Sequence, residues 1–156
     1  MKRIRAVGII VNNGKVLLMH RVKHDKEYYV FPGGGVEEGE TVEQALLREV
    51  NEETSLEVKI EKLLYHHIYN SNTEQFFYLC SYISGEPKLG DGNESRTMAQ
   101  STANFYNPVW CEIKKLPELL LYPLEIRDWF IADAKTNFQS APREATLKVS
   151  ELRQSL

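Results

Sequence analysis

The chain has 156 residues, 42% of them hydrophobic and 26% charged, with a formal net charge of −3. That length and mixture suit one globular domain whose core needs no disulfide or structural metal to hold it together. No stretch approaches the ~18 consecutive apolar residues needed to cross a bilayer. The apolar run after the basic start, residues 6–11, is too short and too interrupted by Gly8 for a signal peptide. Cys80 and Cys111 lie in apolar, strand-like surroundings without a C-x-x-C or His spacing, so they read as buried thiols. A soluble protein of the reducing cytoplasm, with no membrane partner, is the expectation.

In chain order, RIRAVGIIV and KVLLMHRV are β-branched and aliphatic runs joined by Asn13-Gly14, a pair that tolerates positive φ and signals a hairpin. Tyr28 to Phe31 suits a short strand ending at PGGG, where Pro32 lacks a donor and three glycines permit a shaped loop. Thr41 followed by Gln44 makes a capping-box start for a helix running to about Thr54. LEVKIEKLLYHHIY and EQFFYLCSYI read as strands about the turn NSNT, and NFYNPVWCEI as another after a long loop. Five or six strands are therefore expected. Pro123 to about Lys135 predicts a second helix, with Leu124, Ile126, Trp129 and Phe130 as its apolar contacts. The order is mixed α/β (α+β), one domain over residues 3–135, with a polar tail over 136–156 that fits helix, strand or disorder equally.

The first helix carries the anomaly. Between Gly34 and Glu57 there are eight acidic residues and one basic residue, a local charge of −7 inside a nearly neutral chain. This argues against nucleic acid as a partner of that segment. At about 100° per residue, Glu49, Glu52 and Glu53 fall within one third of the wheel, on the stripe that Val42 and Ala45 begin. On a free surface such like charges cost only ~0.2–0.5 kcal/mol per pair. Partly buried, two carboxylates ~5 Å apart at an effective dielectric of ~20 repel by ~3 kcal/mol, at the end of the helix that is already negative. Cations would resolve that repulsion, and oxygen ligands without His or Cys suit Mg²⁺ or Mn²⁺. The helix by itself fits a solvated acidic face as well as a metal site.

A longer window separates the two. Gly34, Glu40, Arg48-Glu49, Val50, Glu52-Glu53 and Leu56 stand at the spacing of the Nudix box, G-x5-E-x7-R-E-U-x-E-E-x-G-U, with U a bulky aliphatic. The chain resembles that family at every specified position except Ser55, which replaces the last glycine. PGGGVEEGET is similar to the family's entry into the helix, and YNPVWCEIKKLPELLLYP to its later strand and turn. The resemblance implies an α/β/α sandwich around a mixed β-sheet with a loop-helix-loop motif. It implies a pyrophosphohydrolase (MutT-like) that cleaves a nucleoside diphosphate linked to a group X, using Mg²⁺ or Mn²⁺. By the same resemblance Glu52 and Glu53 are metal ligands, Glu49 is a ligand or the proton acceptor, and Arg48 supports them. Glu40 is then the partner of Arg48 across the loop, and Gly33 or Gly34 offers backbone to metal or phosphate.

Outside the box the signals weaken. Glu94, on a long loop, is a further catalytic carboxylate or a solvated charge. Arg21 contacts phosphate or decorates a strand edge. Tyr29, Tyr106 and Trp110 are candidates to stack on a base, although aromatics in strands more often fill core. His20, His24, His66 and His67 lack ligand spacing and take ordinary roles. Two other functions are compatible with the fold: a nucleotide-sensing module without turnover, and a structural protein with an acidic surface helix. A homodimer is left open. The family's glycine at this place ends the helix in the left-handed region; Ser55 in the same geometry would cost up to ~1–2 kcal/mol, without touching the chemistry.

Overall fold

The computed structural model describes residues 2–88, 104–139 and 142–146. β1 (Arg3–Asn12) and β2 (Lys15–Lys23) pair antiparallel through the expected turn, with Asn13 at φ 51° and Gly14 at φ 74°. A second two-residue turn follows, with His24 and Asp25 both at positive φ, and returns the chain as β3 (Lys26–Val30). β4 (Gly33–Gly35) pairs with β1. After the helix α1 (Val42–Thr54), β5 (Glu57–Asn70) and β6 (Thr73–Ser84) form a long hairpin, and β6 lies parallel to β1. β7 (Asn104–Glu112) pairs with β2 and leads to a 3-10 helix, Ile113–Glu118. β8 (Leu121–Tyr122), the helix α2 (Leu124–Ala134) and β9 (Arg143–Thr146) complete the described chain.

One mixed sheet results, ordered β8-β3-β2-β1-β6-β5-β9, with β4 on β1 and β7 on β2. Nine strands among the described residues exceed the five or six expected. The additional ones are β4, β8 and β9, of three, two and four residues. Segments so short show no alternation of their own, and within the PGGG segment expected as a loop Gly33–Gly35 is strand because β1 offers it a ladder.

Period-two alternation divides the sheet into two faces. Ala6 and Ile10 of β1 and Leu17 of β2 pack against Ala45, Leu46 and Val50 of α1. Val7, Ile9, Val16 and Leu18 face the other way, into a core with Tyr65, Phe77 and, from α2, Ile126 and Phe130. The expected α/β/α sandwich is therefore present, with α1 and α2 on opposite faces. Beyond α2, Phe138 is buried in the second core, and β9 runs parallel to β5. Arg143 of β9 donates to buried Asp133 at 2.6 Å, and Asp133 also accepts from the Tyr65 hydroxyl at 2.7 Å. Among the described residues no helix is long and apolar enough to cross a membrane.

The capping box at the start of α1 is formed: Gln44 N–H donates to Thr41 Oγ1 at 3.1 Å, and Thr41 N–H to Gln44 Oε1 at 2.9 Å. At its other end Ser55 lies in the left-handed region, φ 65° and ψ 12°. Its N–H closes on Asn51 O at 2.8 Å, and its hydroxyl donates to Lys88 O at 2.9 Å. That exposed hydrogen bond offsets part of the conformational cost, each being of order 1 kcal/mol. Ser55→Gly is accordingly expected to change stability by less than about 1 kcal/mol, with strain relief and the lost bond opposed. Ser55→Ala keeps the Cβ and loses the bond, and should be about 1 kcal/mol less stable than Ser55→Gly. Urea denaturation of the three proteins measures both differences; equal stability of the Ala and Gly variants would contradict the left-handed conformation.

Candidate active site

α1 is apolar in its first half and acidic where it leaves the core. Arg48 organises the change. Its Nε and Nη2 grip Glu40 through both carboxylate oxygens, at 2.7 and 2.9 Å. Nη1 donates to Glu49 at 2.9 Å and to Glu52 at 3.3 Å, and Nη2 also reaches Gly35 O at 3.1 Å. The Arg48 hydrogen bonds, with help from the Glu37 N–H, draw the Glu40 carboxyl down to about 2. Glu40 reciprocally raises Arg48 above its ordinary value. A planar fork with five donors serves three carboxylates and a carbonyl, which a lysine ammonium with three donors cannot do.

The glycine strand sets the distance between this cluster and the sheet. A Cβ on Gly34 would lie 2.3 Å from Glu49 Cδ, so the carboxylate rests directly on the backbone of β4. A Cβ on Gly33 would lie 2.3 Å from Ala6 O, so β4 can approach β1 only without one. Glu53 is 5% exposed and accepts a hydrogen bond from the Tyr106 hydroxyl of β7. The Arg21 guanidinium stands 5.4 Å from the centre of the same Tyr106 ring.

These groups border a cavity of about 1030 Å³, opened between the carboxylates and the sheet. Glu49, Glu53, Gly33, Gly34 and Arg21 line it. Arg21 belongs to β2, which is paired on both sides by β3 and β7, so it decorates no edge. Arg48 and Glu40 stand behind the lining, and Glu52, its side chain 42% exposed, is turned to Arg48. Glu94 lies outside the described residues. Of the three stacking candidates only Tyr106 borders the cavity. Tyr29 stacks on His20 at 4.6 Å, and Trp110 packs edge-on to Tyr82 at 5.8 Å.

The sequence reading missed Arg3, Arg5 and Gln75 and the aromatic residues Tyr28, Phe105 and Tyr122, all of which line the cavity. A usable signal was present: Arg3, Arg5 and Val7 alternate on one face of β1, so a charged pair had to share a side with a core residue. Among the described residues no three Asp, Glu, His or Cys side chains converge on a point that would cage an ion. Glu49 and Glu52 are turned to Arg48 and Glu53 to Tyr106. The donor set is nonetheless all oxygen, which fits Mg²⁺ or Mn²⁺ and suits zinc poorly.

The family model described as the NUDIX domain matches residues 2–130. The 8-oxo-dGTP diphosphatase of Escherichia coli (strain K12) is 33% identical over 130 residues, covering 74% of this chain and 100% of that protein. The ADP-ribose pyrophosphatase of Methanocaldococcus jannaschii is 39% identical over 92 residues, or 54% of this chain and 53% of that protein. The chain thus spans about half the length of that relative. The crystal structure of a NUDIX hydrolase from Nitrosomonas europaea superposes with a TM-score of 0.69 over 93% of this chain and 78% of that one. At 16% identity the superposition speaks to the fold alone. With the box residues gathered around Arg48 and the domain matched from residue 2 to residue 130, this chain belongs to the Nudix family.

Proposed function

We propose that the protein is a divalent-metal-dependent pyrophosphohydrolase that cleaves a nucleoside diphosphate linked to a group X. The observation that carries this reading is one cavity bordered by Glu49 and Glu53 of the acidic helix and by the guanidinium of Arg21. Carboxylates suit a hard cation and guanidinium suits phosphate oxygens, so the pair matches a substrate that arrives with its metal.

Glu52 and Glu53 would hold Mg²⁺ or Mn²⁺, with Glu49 either a third ligand or the acceptor of the proton from water. Glu94 is proposed as a further carboxylate of the same set. When bound, the ion would neutralise phosphate charge and polarise the phosphoryl oxygens. In the reaction water oxygen forms a bond to phosphorus, the anhydride P–O bond breaks, and the water proton passes to a carboxylate. Arg48 orients Glu49 and Glu52 by donating to both. Tyr106 does the same for Glu53 through its hydroxyl. Arg21 contacts phosphate, and the backbone of Gly33 and Gly34 borders the reacting group without side chains to obstruct it. The substrate is proposed to be a small nucleotide; the names of the relatives, 8-oxo-dGTP diphosphatase and ADP-ribose pyrophosphatase, support that class.

Activity on a panel of nucleoside diphosphate derivatives, read by release of phosphate or nucleoside monophosphate, should disappear with a chelator and return with Mg²⁺ or Mn²⁺. Turnover surviving thorough chelation would sink the mechanism. Glu53→Gln keeps an acceptor for Tyr106 while removing one charge. It is expected to lower kcat by ~10²-fold or more with an unchanged or raised thermal midpoint in chelator, since a buried charge is removed. Wild-type-like hydrolysis by that variant would move the site elsewhere.

The two glycines should separate chemistry from folding. Gly34→Ala displaces a flexible carboxylate tip, so kcat should fall ~10-fold or more with a small change in thermal midpoint. Gly33→Ala strikes the Ala6 backbone and is expected to destabilise by about 1–3 kcal/mol. Equal stability of the two variants would show that β4 is more adaptable than its spacing implies.

A further inference from the structure

Strands β5, β6 and β1 lie side by side, and their registers align His67 with Gln75 and Gln75 with Arg5 in one row. The side chains of the row are hydrogen-bonded in the same order. Arg5 Nε donates to Gln75 Oε1 at 3.3 Å, and Gln75 Nε2 meets His67 Nδ1 at 3.1 Å. A guanidinium only donates, so the Gln75 oxygen faces Arg5, its NH₂ faces His67, and Nδ1 accepts. The imidazole proton is thereby assigned to Nε2, a buried atom with no hydrogen-bond partner among the described residues. The ring is fully buried, and that burial, with the charge of His66 adding to it, draws its pKa down to about 4. His67 therefore stays a neutral acceptor at neutral pH.

The row ends at the cavity. Arg5 is anchored through Nε, which leaves its two terminal nitrogens as donors, and Arg3 and Arg21 share the same lining. Among the described residues none of these three guanidiniums forms an ion pair with a carboxylate. Burial and the neighbouring charge of Arg3 both work against the charged form of Arg5, while Glu53, Tyr106 and Glu49 favour it. Three positive groups gathered without direct counter-charges suit an anion of more than one charge, and an oriented fork matches two oxygens of a phosphate.

We propose that Arg5 binds a phosphate group of the substrate on the wall formed by β1 and β6, with Gln75 and, through it, His67 as the residues that position it. The ligand class is a nucleoside diphosphate or a larger phosphoric anhydride, and Arg3 adds charge to the same wall. This rests on the reading of the cavity as a nucleotide site, and a binding experiment without metal keeps it separable from turnover.

Calorimetric titration of ADP, GDP and inorganic pyrophosphate in chelator tests the assignment on the full chain, with thermal midpoints recorded for every variant. Arg5→Gln is expected to weaken binding of the best of the three about ten-fold or more. Arg5→Lys keeps the charge without the fork, should fold where Arg5→Gln does not, and is expected to lose several-fold. Gln75→Leu leaves the Arg5 charge intact yet should also lose several-fold, and in Mg²⁺ it should raise KM with kcat nearly constant. Lys114→Gln, a change of equal charge on the exposed surface, should stay within two-fold of wild type. Wild-type affinity in both Arg5 variants would overturn the proposal, as would wild-type protein that binds none of the three probes. Affinity unchanged in Gln75→Leu would remove the positioning role of Gln75 and His67. A protein that binds through Arg5 and hydrolyses nothing would instead sink the enzymatic reading and leave this one standing.

Discussion

The constraint on which the site depends is the crowding of carboxylates at the C-terminal half of α1, and the interaction that makes it tolerable is the Arg48 fork. Without it, Glu49 and Glu52 would face each other's charge at the negative end of a helix. With it, one guanidinium bonds Glu40, Glu49, Glu52 and the carbonyl of Gly35, tying the entry loop, the helix and β4 into one unit. The fork also turns Glu49 onto the bare backbone of Gly34, which is how an acidic helix face comes to border a cavity rather than open solvent.

The second determinant is the alternation of β1. Ala6 and Ile10 belong to the core beneath α1, while Val7 and Ile9 belong to the core beneath α2. Arg3 and Arg5 continue the Val7 face past the end of that second core, so the strand that stabilises the sheet also delivers guanidiniums to the cavity. Gln75, which orients Arg5, comes from β6, which is distant in sequence and adjacent through a parallel pairing. Burying polar groups in such a row is tolerable because Arg5, Gln75 and His67 hydrogen-bond one another in sequence.

The end of the described chain takes part in the fold as well. Asp133, 3% exposed, holds both the Tyr65 hydroxyl and Arg143, and the Arg143 guanidinium lies 5.4 Å from the centre of the Trp129 ring. Removing one partner from such a buried charged group leaves the other desolvated and unpaired, so this clasp couples β5, α2 and β9. Ser55 shows the complementary economy at the surface, where a left-handed residue recovers part of its conformational cost from a hydrogen bond to Lys88.

Local rules in the sequence determined the elements whose signals are carried by side chains: the Asn13-Gly14 hairpin, the Thr41–Gln44 cap, the two helices and six alternating or apolar strands. The spacing from Gly34 to Leu56 likewise determined the family, and the resemblance it carries implied Arg48 as the support of the carboxylates and Glu40 as its partner across the loop. The tertiary structure alone decided the strands β4, β8 and β9, because two to four residues hold no periodic signal and their ladders come from partners elsewhere in the chain. It alone decided that Tyr106 reaches Glu53 while Tyr29 and Trp110 pack elsewhere, since a strand's alternation names two faces and not which of them meets the cavity. It alone put Arg5, Gln75 and His67 in one row. Register between strands some seventy residues apart is set by the packing of both sheet faces together, a property of the assembled cores that no single segment carries.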